Sequence, residues 1–439
     1  MKKPESPPVI SFPDPDVLDF LKKNEYSEKF QNIEREEYPY WEDLKYKIKS
    51  WNYSPEKIWN YLKFQRRFNF QKLTFSGVPE FEFRFSVPPL LQKYLHQLDL
   101  NLGGFLEGSS IIPAEEKNRY LISSIMEEAI SSSQLEGAAT TRKVAKEMLE
   151  KQLPPKNHSE KMILNNYQTM NWIVKNQQEE FTLDTLLSIH KIITKDTLDD
   201  PSKEGRLRDN NNIKVMDETN EIFYTPPDYS FLPQLLKDFC FFANDGKENE
   251  FIHPIIRGII LHFLIGYIHP FVDGNGRTAR AVFYWYLLKK GYWLIEYMSI
   301  SRIILRAPSQ YARAYLHTEY DENDLTYFLL YNVKAMHLAL DDLKKYIKEK
   351  TEERKKTVAL ISAENYNERQ IIIIKDLLKN HEIHFTVKQI ETKFGISNQT
   401  ARSDLAGLQR QGILDLKMTG NRAQFIGTKD FEKKLKLKH

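Results

Sequence analysis

The stretch "HPFVDGNGRTAR", residues 269–280, constrains this chain more than any other. It sets small and polar residues between "IRGIILHFLIGYI" and "AVFYWYLLKKG", two segments apolar enough to be core helices. Glycine-bearing punctuation of this kind predicts a turn, and an Asp-Gly-Asn-Gly cluster alone asks for nothing more. The flanking histidine and the two arginines do. A helix starting near Asn275 leaves the backbone N–H groups of Gly274, Asn275 and Gly276 at its positive end, a seat that an anion can approach closely. Arg277 and Arg280, three apart, share one helix face and can clamp further phosphate oxygens. Asp273 stands where a hard Mg²⁺ ion bridging phosphates wants a carboxylate. His269 has the reference pKa of a group that takes a proton at neutral pH. A base, a metal ligand, an anion seat and two guanidiniums together describe nucleotidyl or phosphoryl transfer to a hydroxyl.

The rest of the chain bounds this reading. At 439 residues there is room for two or three domains, and a net charge of +3 is too balanced to declare a nucleic-acid binder. A single cysteine, Cys240, excludes an intramolecular disulfide and a cysteine-rich zinc site. "MKKPESPPVISFPDPD" has no apolar core, so it does not read as a signal peptide. No apolar run approaches the roughly 20 residues of a membrane span. The expectation is a soluble cytoplasmic protein without membrane partners.

Residues 1–108 read as a helical, aromatic-rich region, with "SPEKIW" starting a helix at Ser54 and "FEFRFSVPP" a short strand or extended arm. Helical periodicity then dominates to about Lys350, broken by "NNIKVMDETNEIFYTPP" at 211–227, whose alternation predicts a hairpin. A charged helical linker at 346–365 leads to a segment at 366–430. There, one helix ends at Gly395, a second is capped by Ser397, and alternating residues flank "TGN". This resembles a winged helix-turn-helix, with Gln399, Thr400, Arg402 and Ser403 facing outward toward DNA or a protein partner.

The residues of the opening stretch resemble the Fic family motif HPFx(D/E)GNGRxxR, matching it at His269, Pro270, Phe271, Asp273, Gly274, Asn275, Gly276, Arg277 and Arg280. The resemblance extends to "LLSIHKIIT", to the hairpin and to "SQYARAYL", and defines a domain at 109–345. It implies a mainly α fold: a Fic helical core with a β-hairpin flap, followed by the winged helix. It also implies protein adenylylation. A hydroxyl of a Ser, Thr or Tyr on a target protein, or on the chain itself, attacks the α-phosphorus of ATP in the presence of Mg²⁺. His269 would be the base and Asp273 the Mg²⁺ ligand. Gly274, Asn275, Gly276, Arg277 and Arg280 would hold phosphates, and Tyr311 would lie near the adenosine. Val215 and Met216 on the flap would hold the acceptor segment. The tyrosine pair common in relatives is Tyr311–Ala312 here. His190, His253 and His262 read as structural histidines.

A second segment, "SSSQLEG" at 131–137, ends a helix expected to start near Pro113. A carboxylate at a helix C-terminus opposes the dipole, so Glu136 invites a partner. The segment also resembles the family's inhibitory motif, (S/T)xxxE(G/N), through Ser132, Glu136 and Gly137. By that resemblance Glu136 forms a bidentate pair with Arg280 and keeps the γ-phosphate from its productive place. Two other readings keep the same residues. One is AMP removal or transfer of a different nucleotide. The other is an ATP-sensing, DNA-binding transcriptional regulator.

Overall fold

The computed structural model describes residues 3–9, 12–23, 25–74, 81–103, 117–216, 221–246, 251–360, 366–419, 422–431 and 435. The protein is mainly helical. The N-terminal region contains α1 (Asp16–Lys23), α2 (Tyr26–Glu36), α3 (Trp41–Lys47), α4 (Pro55–Arg67), the strands β1 (Gln71–Thr74) and β2 (Glu82–Phe85), and α5 (Pro89–Leu102). Ser54 caps α4 by accepting from the Lys57 N–H, with Pro55 at the first helical position. "FEFRF" is a strand, antiparallel to β1.

The central helices are α6 (Lys117–Leu135), α7 (Arg142–Lys151), α8 (His158–Asn176) and α9 (Leu183–Thr194). The hairpin β3 (Val215–Met216) and β4 (Ile222–Tyr224) follows, then α10 (Leu232–Ala243), α11 (Pro254–Ile268) and α12 (Asn275–Lys289). After these come α13 (Ile300–Arg306), α14 (Pro308–Tyr320) and α15 (Thr326–Leu360). The helices α11 and α12 are buried nearly all round, with apolar residues on every face and Arg257, His262, Arg277 and Arg280 buried among them. The linker expected from 346 is the continuation of α15, because its Lys, Glu and Arg are strong helix formers and nothing breaks the run before Leu360. The start expected near Pro113 lies outside the described residues, and α6 is described from Lys117.

One apolar core joins the N-terminal region to the central helices, from Val17 and Trp59 through Phe263, Trp285 and Leu340. The seam also carries a polar hub. Lys63, fully buried on α4, places its ammonium 2.7 Å from Asp321 and 3.7 Å from Asp324, both in the α14–α15 turn. Tyr38 and Tyr327 donate to the same two carboxylates at 2.7 Å. The β2 backbone is stitched to this turn as well, through Arg84 N–H to Asn323 O and Leu325 N–H to Arg84 O. The N-terminal region thereby fixes the end of α14, the helix that lines the site.

The C-terminal unit is α16 (Glu368–Lys379), β5 (His384–Phe385), α17 (Val387–Phe394), α18 (Asn398–Arg410), β6 (Leu414–Thr419) and β7 (Arg422–Gly427), with strand order β5-β7-β6 and its own core. Ser397 caps α18 and Gly395 closes α17 in the left-handed region. The helix α17 packs on α6 and α7, where Gln152 donates to Thr392 at 3.0 Å.

Removing one partner from a buried charged cluster leaves the others uncompensated. Lys63→Ala is expected to destabilise the fold by about 3–5 kcal/mol in urea denaturation, and a loss under about 1 kcal/mol would contradict the hub's role.

Candidate active site

The turn between α11 and α12 is held from four sides. His269 caps α11 with φ 49°, a left-handed conformation that non-glycine residues rarely adopt and that swings its ring toward the cavity mouth. Its Nδ1 lies 3.1 Å from Gly266 O, so the proton sits on Nδ1 and Nε2 is left as the acceptor. Burial lowers the imidazole pKa below its ordinary value, more than the Gly266 carbonyl raises it, so the ring is neutral at physiological pH. Phe271 is fully buried and stacks on His190 with ring centroids 3.7 Å apart. His190 accepts from the Gly205 N–H at Nδ1 and donates from Nε2 to Asp273 O at 2.9 Å, and burial brings its pKa down to about 4. It is a structural histidine, and what it holds is the motif itself.

The helix α12 starts at Asn275, with Gly274 as its cap at φ 78°. A side chain at Gly274 would meet Thr194 Cγ2 at 2.9 Å as well as strain the backbone. The Asn275 carboxamide is already committed: it donates to Phe271 O at 2.9 Å and accepts from Phe271 N–H at 3.0 Å. The side chain thus braces the loop, which leaves the Asn275 backbone N–H at the open end of α12. Arg277 is buried, donates to Ile193 O at 3.2 Å and lies 3.5 Å from Asp273, while its Nε has no partner among the described residues. Asp273 itself is largely exposed, and among the described residues no preformed cluster of metal-ligating side chains accompanies it.

Arg280 is held by the last turn of α6 and the residue beyond it. Its Nε donates to Ser132 Oγ at 2.8 Å, and its Nη2 donates to Ser132 O at 3.0 Å and to Glu136 Oε1 at 2.8 Å. The guanidinium–carboxylate contact is therefore single, where the sequence reading had it bidentate, because Ser132 takes the second donor. Glu136 and Gly137 lie just past Leu135, with Gly137 at φ 92°. The carboxylate also reaches the floor of the anion seat: a side chain at Gly276 would lie 2.2 Å from Glu136 Oε1. A side chain at Gly276 would push the Glu136 carboxylate aside, so as it stands Glu136 occupies space at the positive end of α12.

A cavity of about 630 Å³ opens over these groups. Glu136, Gly276, Arg280 and His269 line it, as do Val215 and Met216 of the flap and Tyr311 of α14. Tyr311 is hydrogen-bonded to the buried His262 at 2.7 Å. The flap is irregular between Val215 and Met216, and its tip at 217–220 lies outside the described residues. His253 caps α11 and lies 2.9 Å from Asp99, a structural role. Arg208 escaped the sequence reading. It donates to His269 O, to Asn210 O, to Asn211 Oδ1 and to Pro227 O, and its own N–H bonds Pro270 O. It ties the flap's base to the motif; the only local signal was its place in "GRLRDNNN", just before the hairpin.

The profile of the Fic/DOC family matches residues 180–287, and that of the DeoR-like helix-turn-helix domain matches residues 369–426. "Protein adenylyltransferase fic-1" of Caenorhabditis elegans is 28% identical over 123 residues, 27% of this chain and 22% of that protein. "Protein adenylyltransferase Fic" of Nematostella vectensis is 32% identical over 119 residues, 26% of this chain and 25% of that protein. The chain thus spans under a third of the length of these relatives. A Fic family protein from Desulfovibrio desulfuricans, solved as a crystal structure, is 16% identical with a TM-score of 0.47, covering 77% of this chain and 94% of that one. Residues 180–287 bring together the His269-to-Arg280 turn, its His190 and Arg208 braces and the flap, and it is over this stretch that the chain matches the Fic/DOC family, with a match to a DeoR-like helix-turn-helix domain behind it.

Proposed function

We propose that the chain is a protein adenylyltransferase that moves AMP from ATP to a hydroxyl side chain of a target protein or of itself, and that Glu136 holds it inactive. What carries the reading is the juxtaposition of a neutral imidazole, free at Nε2, with the open end of α12. The triphosphate would sit on the backbone N–H groups of Gly274, Asn275 and Gly276, with Arg277 and Arg280 on its outer phosphates. The target hydroxyl gives its proton to His269 Nε2 as its oxygen bonds to the α-phosphorus. The bond from that phosphorus to the bridging oxygen breaks, and pyrophosphate leaves. Asp273, exposed and beside the seat, fits a Mg²⁺ ion whose other ligands are phosphate oxygens and water, and the ion would neutralise phosphate charge. The flap edge at Val215 and Met216 would receive the acceptor segment by strand addition.

Inhibition follows from the same contacts. While Glu136 lies on Gly276 and Arg280, the phosphate that needs both is displaced. With ATP labelled at the α-phosphate, Glu136→Gly is expected to raise self-labelling by at least about tenfold, some 1.4 kcal/mol at the transition state. Label from the γ-phosphate would rule out adenylyl transfer, and unchanged labelling by a folded Glu136→Gly protein would remove the inhibitory reading. Loss of AMP hydrolysis from modified protein in the same variant would favour the reverse reaction, with Glu136 positioning water.

His269→Ala is expected to abolish transfer, by about a hundred- to ten-thousand-fold, and to leave ATP affinity within about a few-fold. The base works as the neutral ring, and its folded pKa lies below the ordinary 6.5. Activity should therefore persist as pH falls through 6.5 and drop only in more acidic buffer; a midpoint above 6.5 would contradict this.

We also infer that the C-terminal unit binds DNA through α18. Support comes from the DeoR-like match and from exposed Gln399, Arg402 and Ser403 on a helix whose neighbour α17 is occupied by α6 and α7. Thr400 is half-buried, its hydroxyl paired with Ser397, which leaves it a lesser part. Arg402→Ala should weaken binding to duplex DNA in a mobility shift, and identical retardation would contradict the assignment. DNA binding by a chain that transfers no label would instead favour an ATP-sensing regulator.

A further inference from the structure

Residues 3–5, Lys-Pro-Glu, cross from α3 to the flap. Glu5 is anchored on α3 and its cap. Its N–H donates to Glu42 Oε1 at 2.8 Å, and its carbonyl accepts from the Tyr40 hydroxyl at 2.9 Å. Its carboxylate accepts from Trp41 Nε1 at 3.0 Å and from Lys45 at 2.9 Å. The other oxygen of Glu42 accepts from Arg313 at 2.8 Å, which ties the anchor to α14, whose Tyr311, Ala312 and Tyr315 line the cavity. Pro4 is buried, and its fixed φ stiffens the step to the next residue. Lys3 then reaches the flap. Its ammonium lies 3.0 Å from Glu221 Oε1 and 5.4 Å from the ring centroid of Phe223 on β4.

The flap has little to hold itself with. Its strands β3 and β4 are two and three residues long and their register is irregular, and a two-stranded hairpin is marginal on its own. Arg208 ties its base, and the Tyr224 hydroxyl ties the end of β4 to Tyr267 O at 2.9 Å. Lys3 acts at the opposite end of β4, beside Ile222, the residue that pairs with Met216. The same ammonium meets Phe223, whose side chain lines the cavity. An exposed ion pair adds little to a rigid fold. On a hairpin near balance between ordered and open, the same small increment shifts the ordered fraction several-fold.

We propose that Lys3 is a positioning residue for the acceptor: residues 3–5 strap the flap to α3 and α14 and hold the β3 edge where an acceptor segment joins it. This rests on the adenylyl-transfer reading and on its use of the flap, and it names what keeps that edge in place. An acceptor strand that meets an edge already ordered does not have to order it. The strap therefore acts on capture of the acceptor and leaves the triphosphate seat on α12 as it is.

The test reverses charge in the full chain: Lys3→Glu, Glu221→Lys and the two together, with Lys3→Arg as the conservative change. Hydrogen exchange is read by mass spectrometry in peptides spanning β3 and β4. It should quicken by at least about threefold in each single reversal, the scale of one exposed ion pair with its ring contact. The double reversal should bring it back to the wild-type rate, and Lys3→Arg should not change it. Peptides of α11 and α12 should exchange alike in all four variants. Flap exchange unchanged in both single reversals, or as fast in the double as in the singles, would overturn the strap. In a Glu136→Gly background, each single reversal should lower self-labelling from α-labelled ATP by a similar factor at unchanged ATP affinity, and the double should restore it. Labelling that stays level while flap exchange quickens would overturn the role in placing the acceptor. A Glu136→Gly chain that takes no label at all would refute adenylyl transfer, and the exchange rates alone would then uphold or overturn the strap.

Discussion

The positive end of α12 must be neutralised by something, and under the proposed function two candidates compete for it. Four backbone N–H groups at a helix start have no intrahelical partner, and the aligned peptide dipoles place partial positive charge there. Arg280 adds a buried guanidinium beside them. With no nucleotide, the carboxylate of Glu136 supplies the negative charge, against Gly276 and on Arg280. With nucleotide, phosphate would supply more. On that reading His269 and the α12 start keep their places in both cases, and what differs is which anion sits on them.

The turn and the body of α6 are each braced from elsewhere in the fold. The turn that carries His269 and Gly274 is braced by His190, by Arg208 and by the Asn275 carboxamide. The helix that presents Glu136 is pinned further back by Glu128, a buried carboxylate that accepts from Tyr284, from Ser299 and from both the N–H and the hydroxyl of Ser301. The helix α17 of the C-terminal unit packs against α6 as well. With α6 fixed this firmly, the part left to yield is the last turn and the Glu136 side chain, which is about a quarter exposed.

Much of this was legible in the sequence, and the limits have a physical cause. The turn at 269–280 was readable because its requirements are local: a helix start, small residues where an anion approaches, and basic residues at helical spacing. The hairpin showed in its alternation, and the α17–α18 turn in Gly395 and Ser397. The braces were not readable as such. His190 and Arg208 act on backbone atoms about 60 to 80 residues away, and Lys63 meets Asp321 across 258 positions. Nothing in the neighbourhood of either partner announces such a pair. The Asn275 carboxamide is likewise claimed by its own loop, in a pairing with Phe271 that no spacing in the sequence announces.

The central claim is that Glu136 and a phosphate of ATP compete for one seat. Crystal structures of the wild-type chain and of Glu136→Gly, each grown with ATP and Mg²⁺, test it most directly through the path of the triphosphate. In the wild type, Glu136 should stay on Arg280 and the α-phosphorus should face away from His269. In the variant, Arg280 should hold the outer phosphate, and the α-phosphorus should turn toward the cavity mouth within reach of an attacking hydroxyl. The same triphosphate path in both, with Glu136 still on Arg280 in the wild type, would contradict the competition.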